Sequence, residues 1–115
     1  MYRLFYADGS AAMGVRVILE EVGADYELIE TEIASDQPRS PDLLRHNPNG
    51  WVPVLINDDQ SFYECAAITI YLADRHRDAR LAPDLEDPLR GKYLQWLVYF
   101  SSSLQTAYQL TWHWD

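Results

Sequence analysis

Asn47-Pro48-Asn49-Gly50-Trp51-Val52-Pro53-Val54-Leu55 is the stretch on which the reading of the chain turns. Pro53 sits inside an apolar run, Val52–Ile56, that otherwise reads as a strand. A proline has no N–H to give to a ladder, so it belongs at a strand's first residue, an edge or a bulge. Two explanations stand side by side: a turn feeding the strand, or a cis Val52–Pro53 bond, a form that most X-Pro bonds do not adopt. A short polar gap leads on to Phe62-Tyr63-Glu64-Cys65-Ala66-Ala67-Ile68.

Upstream, Tyr2–Tyr6 is aromatic-rich and ends at the turn signal Asp8-Gly9, which predicts a strand. Ser10 stands where a helix N-cap would stand. Val15, Ile18, Leu19 and Val22 then hold the i, i+3, i+4, i+7 spacing of one apolar helical stripe, and Gly23 stops it. Tyr26–Thr31 is a second strand, so the first thirty residues or so read as a βαβ unit with parallel strands. Ile33–Arg39 is polar and reads as loop. Ser40-Pro41-Asp42 opens a short helix, with Ser40 as N-cap and Pro41 at the first helical position, ending at Arg45 or His46.

Downstream, Asn57-Asp58-Asp59-Gln60 reads as a hairpin loop between the strands Val52–Ile56 and Ser61–Tyr63. Glu64–His76 is a helix with Ile68, Tyr71 and Leu72 as its core stripe. Ala66, Ala67, Ile70 and Ala73 keep its flanks apolar, so burial on more than one side is expected. Arg77–Glu86 is charged, contains Leu81-Ala82-Pro83, and reads as a linker. Asp87-Pro88 repeats the N-cap and first-position proline, and Leu89, Tyr93, Trp96, Leu97, Phe100, Leu104, Ala107 and Tyr108 hold a helical period. The chain runs on into Trp112-His113-Trp114-Asp115. A lone helix has little to bury such a face against. Either the chain is cut inside a second, helical domain, or the tail docks on its own domain or on another subunit.

Composition bounds the function. At 115 residues there is room for one domain, or one domain and a fragment. Nine basic and 18 acidic residues give a formal charge of −9, which argues against nucleic acid or an anionic membrane as partner. Cys65 is the single cysteine, which excludes an internal disulfide, a Cys-x-x-Cys redox pair and a cysteine-rich zinc site. His46, His76 and His113 share no metal-ligand spacing, and no metal is expected. No signal peptide is read at Met1–Tyr6, and no apolar stretch approaches the ~20 residues of a membrane span, so a cytoplasmic location is expected.

The order of elements is that of a thioredoxin-like fold, and two motifs are more specific than the order. Asn47-Pro48-Asn49-Gly50-Trp51-Val52-Pro53-Val54-Leu55 and Tyr63-Glu64-Cys65-Ala66-Ala67-Ile68-Thr69-Ile70-Tyr71-Leu72 closely resemble the N-terminal domain of the glutathione transferase family. There the usual pattern is Asn-Pro-x-Gly-x-Val-Pro-x-Leu followed by Glu-Ser-x-Ala-Ile-x-x-Tyr-Leu. Leu81-Ala82-Pro83 and Gln95-Trp96-Leu97 are similar to the start of that family's helical domain, and the branch most resembled is the bacterial beta type. The expected class is α/β: a thioredoxin-like βαβ-α-ββα domain over residues 1–76, a linker at 77–86, and over 87–115 the first long helix of a truncated all-α domain.

The resemblance implies a cis Val52–Pro53 bond, with the Val52 N–H and C=O free to pair with glutathione as an added strand. It implies that Glu64 and Cys65 take the γ-glutamyl end, Glu64 meeting the α-ammonium and the helix N-terminus meeting the carboxylate. Cys65 stands where the family has Ser, and a thiol donates weakly. Without the resemblance, Glu64 is equally a first-turn acid and Cys65 a small apolar residue. The thiolate of glutathione needs a donor from the loop before the first helix. Many relatives carry Ser at Ala12 and beta-type relatives Cys at Ala11, so Ser10 offers the loop's one hydroxyl. It is read as the catalytic donor or as a plain N-cap. Tyr6 is the weaker candidate. The beta-type histidine falls at Gln105, and Trp51 replaces a basic or amide residue for the glycine carboxylate. The expected function is conjugation of glutathione, as co-substrate, to a small hydrophobic electrophile, in a homodimer. The alternatives are a glutathione-dependent disulfide reductase or peroxidase working through glutathione or Cys65, and a non-catalytic binding module.

Overall fold

The computed structural model describes residues 1–34 and 36–112, with side chains up to residue 108. Its sheet has four strands in the order β2-β1-β3-β4, with β1 Tyr2–Tyr6, β2 Tyr26–Glu30, β3 Val54–Asn57 and β4 Gln60–Tyr63. β1 runs parallel to β2, with Leu4 opposite Leu28, and antiparallel to β3, with Leu4 opposite Leu55. Leu4 and Phe5 are consecutive, so they point to opposite faces of the sheet. Both are fully buried, which means that the sheet is covered on both sides. Helices α1 (Ala12–Glu21) and α3 (Cys65–Arg75) pack against each other, placing Val15, Leu19, Ile68 and Leu72 in the core. Phe5 meets the His46 ring of α2 (Pro41–His46) at 5.6 Å between centroids.

Local chemistry explains most of the boundaries. α1 ends in a Schellman motif: Gly23 takes φ +68°, its N–H reaches the Glu20 carbonyl at 3.1 Å, and Ala24 N–H reaches Leu19 O at 3.1 Å. Ser40 caps α2 by accepting a hydrogen bond from Leu43 N–H at 3.1 Å, with Pro41 at the first position.

Several expectations shift. β3 begins at Val54 rather than Val52, so Val52 and Pro53 precede the ladder. Asn57 and Gln60 pair across the hairpin, which shrinks the loop to Asp58-Asp59, with Asp58 at φ +55°. Ser10 is not the cap of α1. That position falls to Ala11, and Ser10 sits one residue earlier. Glu64 lies just before α3, at the N-cap, with no side-chain capping bond. Ile68, Leu72 and Ala73 are the buried residues of α3, while Ala67 is exposed, so burial of this helix is one-sided. Asp87 accepts from Leu89 N–H at 2.8 Å, and the helix proper, α4, starts only at Arg90.

α4 (Arg90–Tyr99) passes through a π-helical stretch, Phe100–Leu104, into α5 (Gln105–Trp112). Trp96, Tyr99, Phe100, Leu104 and Tyr108 are exposed along it. Arg90 ties this element back to the first unit, reaching Asp74 on α3 at 3.2 Å and the Pro83 carbonyl at 3.0 Å. The short linker contains a single 3-10 turn, Arg77–Ala79. His76 accepts or donates at 2.8 Å to the Tyr2 hydroxyl, and His46 packs on Phe5, so both are structural; His113 lies outside the described residues. No helix among the described residues is long and apolar enough to cross a membrane, and no group of three or more His, Cys, Asp or Glu gathers to hold a metal ion.

Candidate functional site

A cleft of about 780 Å³ opens between the loop before α1, the approach to β3, the start of α3 and the α4–α5 segment. Its walls include Ser10, Trp51, Val52, Pro53, Glu64 and Cys65 of the residues singled out from the sequence, but not the weaker candidate Tyr6. Three loops bring them there, each for a local reason.

Asn47 builds the first loop. It is 3% exposed, and every polar group on it that the loop needs is engaged. Its side-chain amide donates to the Trp51 carbonyl at 3.0 Å, its Oδ1 accepts from Asn49 N–H at 3.0 Å, and its carbonyl accepts from Gly50 N–H at 2.9 Å. Gly50 takes φ +74°, a left-handed conformation that glycine adopts without a Cβ penalty. The Val52–Pro53 peptide is cis. Among the described residues, the Val52 N–H and C=O make no hydrogen bond. The approach to β3 therefore offers one unpaired donor and one unpaired acceptor to the cleft.

The second loop holds Glu64 and Cys65. Glu64 adopts φ +80°, ψ 113°, a conformation that costs a non-glycine residue of order 1–3 kcal/mol. Glu64 lines the cleft, and its carboxylate makes no capping bond to α3. Cys65 is half-buried, and its thiol reaches the Ala11 carbonyl at 3.4 Å, which joins the start of α3 to the loop before α1. Burial pushes the Cys65 thiol up from its ordinary value, a hydrogen bond with Gln105 draws it back, and the Glu64 carboxylate adds to the rise.

The third loop runs from Ala7 to Ala12. The Ser10 hydroxyl donates to the Ala7 carbonyl at 2.6 Å and accepts from Ala12 N–H at 3.2 Å. Both of its functions are thus in use within the loop. Ala11 N–H has no hydrogen-bond partner among the described residues, and Ala11 lines the cleft. Tyr6 is buried, its ring lies under the Arg16 guanidinium at 5.3 Å, and it is absent from the cleft wall.

Some wall residues carry no readable signal in the sequence. Ser101, Gln105, Thr106 and Tyr108 reach the cleft because the helical segment folds back over it. Gln105 is legible only as the place where a relative has another residue. Asn47 and Asn49 belong to the quoted Asn47–Leu55 stretch, but nothing in the sequence marks them as wall residues.

The Cys65 chemistry yields a test. A thiol whose pKa is raised holds less thiolate at a given pH, and thiolate is the reactive form. Iodoacetamide should therefore alkylate Cys65 more slowly than a free thiol at pH 8, with the rate still climbing at pH values where a free thiol has levelled off. A plateau at or below the free-thiol pH would contradict the burial described here.

Comparison with known proteins gives one consistent result. Residues 2–74 match the family described as the glutathione S-transferase N-terminal domain. A glutathione S-transferase of Escherichia coli O157:H7, GstA, is 31% identical over 108 residues, covering 92% of this chain and 54% of the relative. A sphingomonad glutathione S-transferase, solved in complex with glutathione, is 30% identical with a TM-score of 0.82, over 92% of this chain and 54% of that one. The bacterial beta class glutathione S-transferase of Sphingomonas chungbukensis gives 29% and 0.83, over 93% and 54%. The chain spans about half the length of these relatives.

Proposed function

The chain belongs to the glutathione S-transferase family, and from that premise we propose that it binds glutathione in the cleft and conjugates its thiolate to a small hydrophobic electrophile. The observation that carries this reading is the convergence on one cleft of an unpaired Val52 backbone, the unused Glu64 carboxylate and the N-terminal ends of α1 and α3. The tripeptide's cysteinyl N–H and C=O pair with Val52 C=O and N–H as an added strand. Glu64 meets the α-ammonium, and Cys65 with the first turn of α3 meets the α-carboxylate. Trp51 flanks the glycine end.

The chemistry is a nucleophilic substitution. The thiol proton leaves to solvent, the thiolate sulfur attacks the electrophilic carbon, the C–S bond forms, and halide departs with its electron pair. The protein's part is to stabilise the thiolate. Two donors are at hand: Ala11 N–H, which is unpaired, and the Ser10 hydroxyl, which must turn away from Ala7 O to serve. Ser10 is the catalytic side chain of this proposal, assisted by the α1 terminus. Residues 1–76 would form the glutathione-binding unit, 77–86 the linker, and 87–115 the opening of a helical domain whose fuller form lines the electrophile site. The homodimer of the resemblance belongs to the same proposal.

Titration calorimetry with glutathione and turnover of an aryl halide test it. Saturable heat and release of halide are expected. Absence of both would leave a non-catalytic module as the reading. Ser10→Ala should lower kcat by about tenfold, ~1.4 kcal/mol of barrier. An unchanged kcat would transfer the role to Ala11 N–H alone. Burial, which raises the Cys65 thiol, argues against redox chemistry carried by Cys65 itself, and a disulfide exchange carried by glutathione is the form of the alternative that remains.

A further inference from the structure

Arg39 lies eleven residues before Gly50 in a segment without regular structure, yet it makes a set of contacts directed at one place. Its Nε–H donates to the Gly50 carbonyl at 2.7 Å. A second guanidinium N–H donates to the Ala34 carbonyl at 3.1 Å. The guanidinium carbon stands 5.3 Å from the centroid of the Trp51 ring, a cation–π distance. Its aliphatic stem is pressed against Gly50 so closely that a Cβ there would come within 2.9 Å of Arg39 Cγ.

The bond to Gly50, the stem packing and the Trp51 ring contact restrain the peptide units immediately before Val52, and the bond to Ala34 anchors the guanidinium from the other side. Gly50 is held at its carbonyl by Arg39 and at its N–H by Asn47, and the Trp51 carbonyl is held by the Asn47 side chain. With Gly50 and Trp51 fixed from both sides, the direction of the unpaired Val52 N–H is set before any ligand arrives. A planar guanidinium has donors in a fixed fork and a flat face, so it can bridge two carbonyls and cover a ring at once.

We propose that Arg39 is a positioning residue for peptide binding: by clamping Gly50 and Trp51 it pre-organises the Val52 backbone that pairs with the tripeptide. This rests on the glutathione reading above. Arg39 is not among the residues that line the cleft. Its effect is on the cost of ordering the loop at the moment of binding, which pre-organisation removes.

Arg39→Met keeps the stem and removes the donors and the charge. In calorimetry it should weaken glutathione binding by about tenfold. In the conjugation assay KM for glutathione should rise by a similar factor while kcat stays within twofold, a split that a general loosening of the fold would not give. Arg39→Lys, which supplies one donor but not the fork, should recover only part of the affinity, and it carries the same test if Arg39→Met does not fold. Hydrogen exchange of the Gly50 amide, which is bonded to the Asn47 carbonyl, should quicken in the ligand-free variant, with the β1 amides unchanged. Wild-type binding together with an Arg39→Met dissociation constant within twofold of it would overturn this inference alone. Absence of heat with the wild-type protein would overturn the glutathione reading and this inference with it.

Discussion

Glu64→Ala should lose glutathione binding by roughly a hundredfold while leaving the melting temperature where it is. The two halves of that expectation have separate origins. Affinity falls because the α-ammonium of the tripeptide would be left without its anionic partner. A hydrogen bond to a charged group contributes about 1.5–3 kcal/mol, which corresponds to one to two decades in the dissociation constant. Stability is spared because the fold makes no use of the carboxylate: Glu64 occupies the N-cap position of α3 without a side-chain capping bond. Alanine at φ +80° is as strained as glutamate there, so the backbone cost is the same before and after. Glu64→Gly separates the two effects further. It should bind as poorly as the alanine variant and melt a few degrees higher, because glycine relieves the left-handed conformation. Calorimetry and thermal unfolding on the three proteins decide it. Retention of wild-type affinity by Glu64→Ala would remove Glu64 from the site.

Phe5→Ala should be the most damaging single change in the sheet. Phe5 is 1% exposed in the middle of β1, opposite Ile29 on one side and Val54 on the other, with the His46 ring against it. Truncating a buried phenylalanine costs about 3–5 kcal/mol through lost transfer energy and the cavity left behind. A domain of this size has only about 5–15 kcal/mol in total. Urea unfolding should show most of the stability gone and a melting temperature lower by more than ten degrees. A loss under 1 kcal/mol would mean that the neighbouring side chains close over the gap. Binding-site geometry should suffer with it, since Val54, paired to Phe5, stands one residue after Pro53.

Features written in adjacent residues could be read without a structure. The Ser40-Pro41 start of α2 and the Gly23 stop of α1 each depend on a few neighbouring side chains, and each lies where the sequence places it. The Glu64–Cys65 pair is found beside Val52 because motif and fold agree. Ser10 shows the limit of such reading. A serine before a helix signals a cap, but here the cap position falls to Ala11, and the Ser10 hydroxyl is held by the Ala7 carbonyl and the Ala12 N–H inside the loop. Arg39 shows another. Nothing local marks a loop arginine as the clamp of a glycine eleven residues on, and the same holds for Tyr2 and His76, seventy-four positions apart. The helical period of residues 89–108 is legible, while the π-helical stretch inside it, which contains Ser101, Ser102 and Ser103, is not.

The order of strands in the sheet differs from their order in the chain. β1 is an interior strand, with β2 on one side and β3 on the other. In chain order β2 is complete at Glu30, but β3 only at Asn57. For that interval a nascent β1–α1–β2 segment carries a bare strand edge beside Leu4 and Phe5, open to any extended chain nearby. The hairpin β3–β4 is the cover that ends the exposure of that edge.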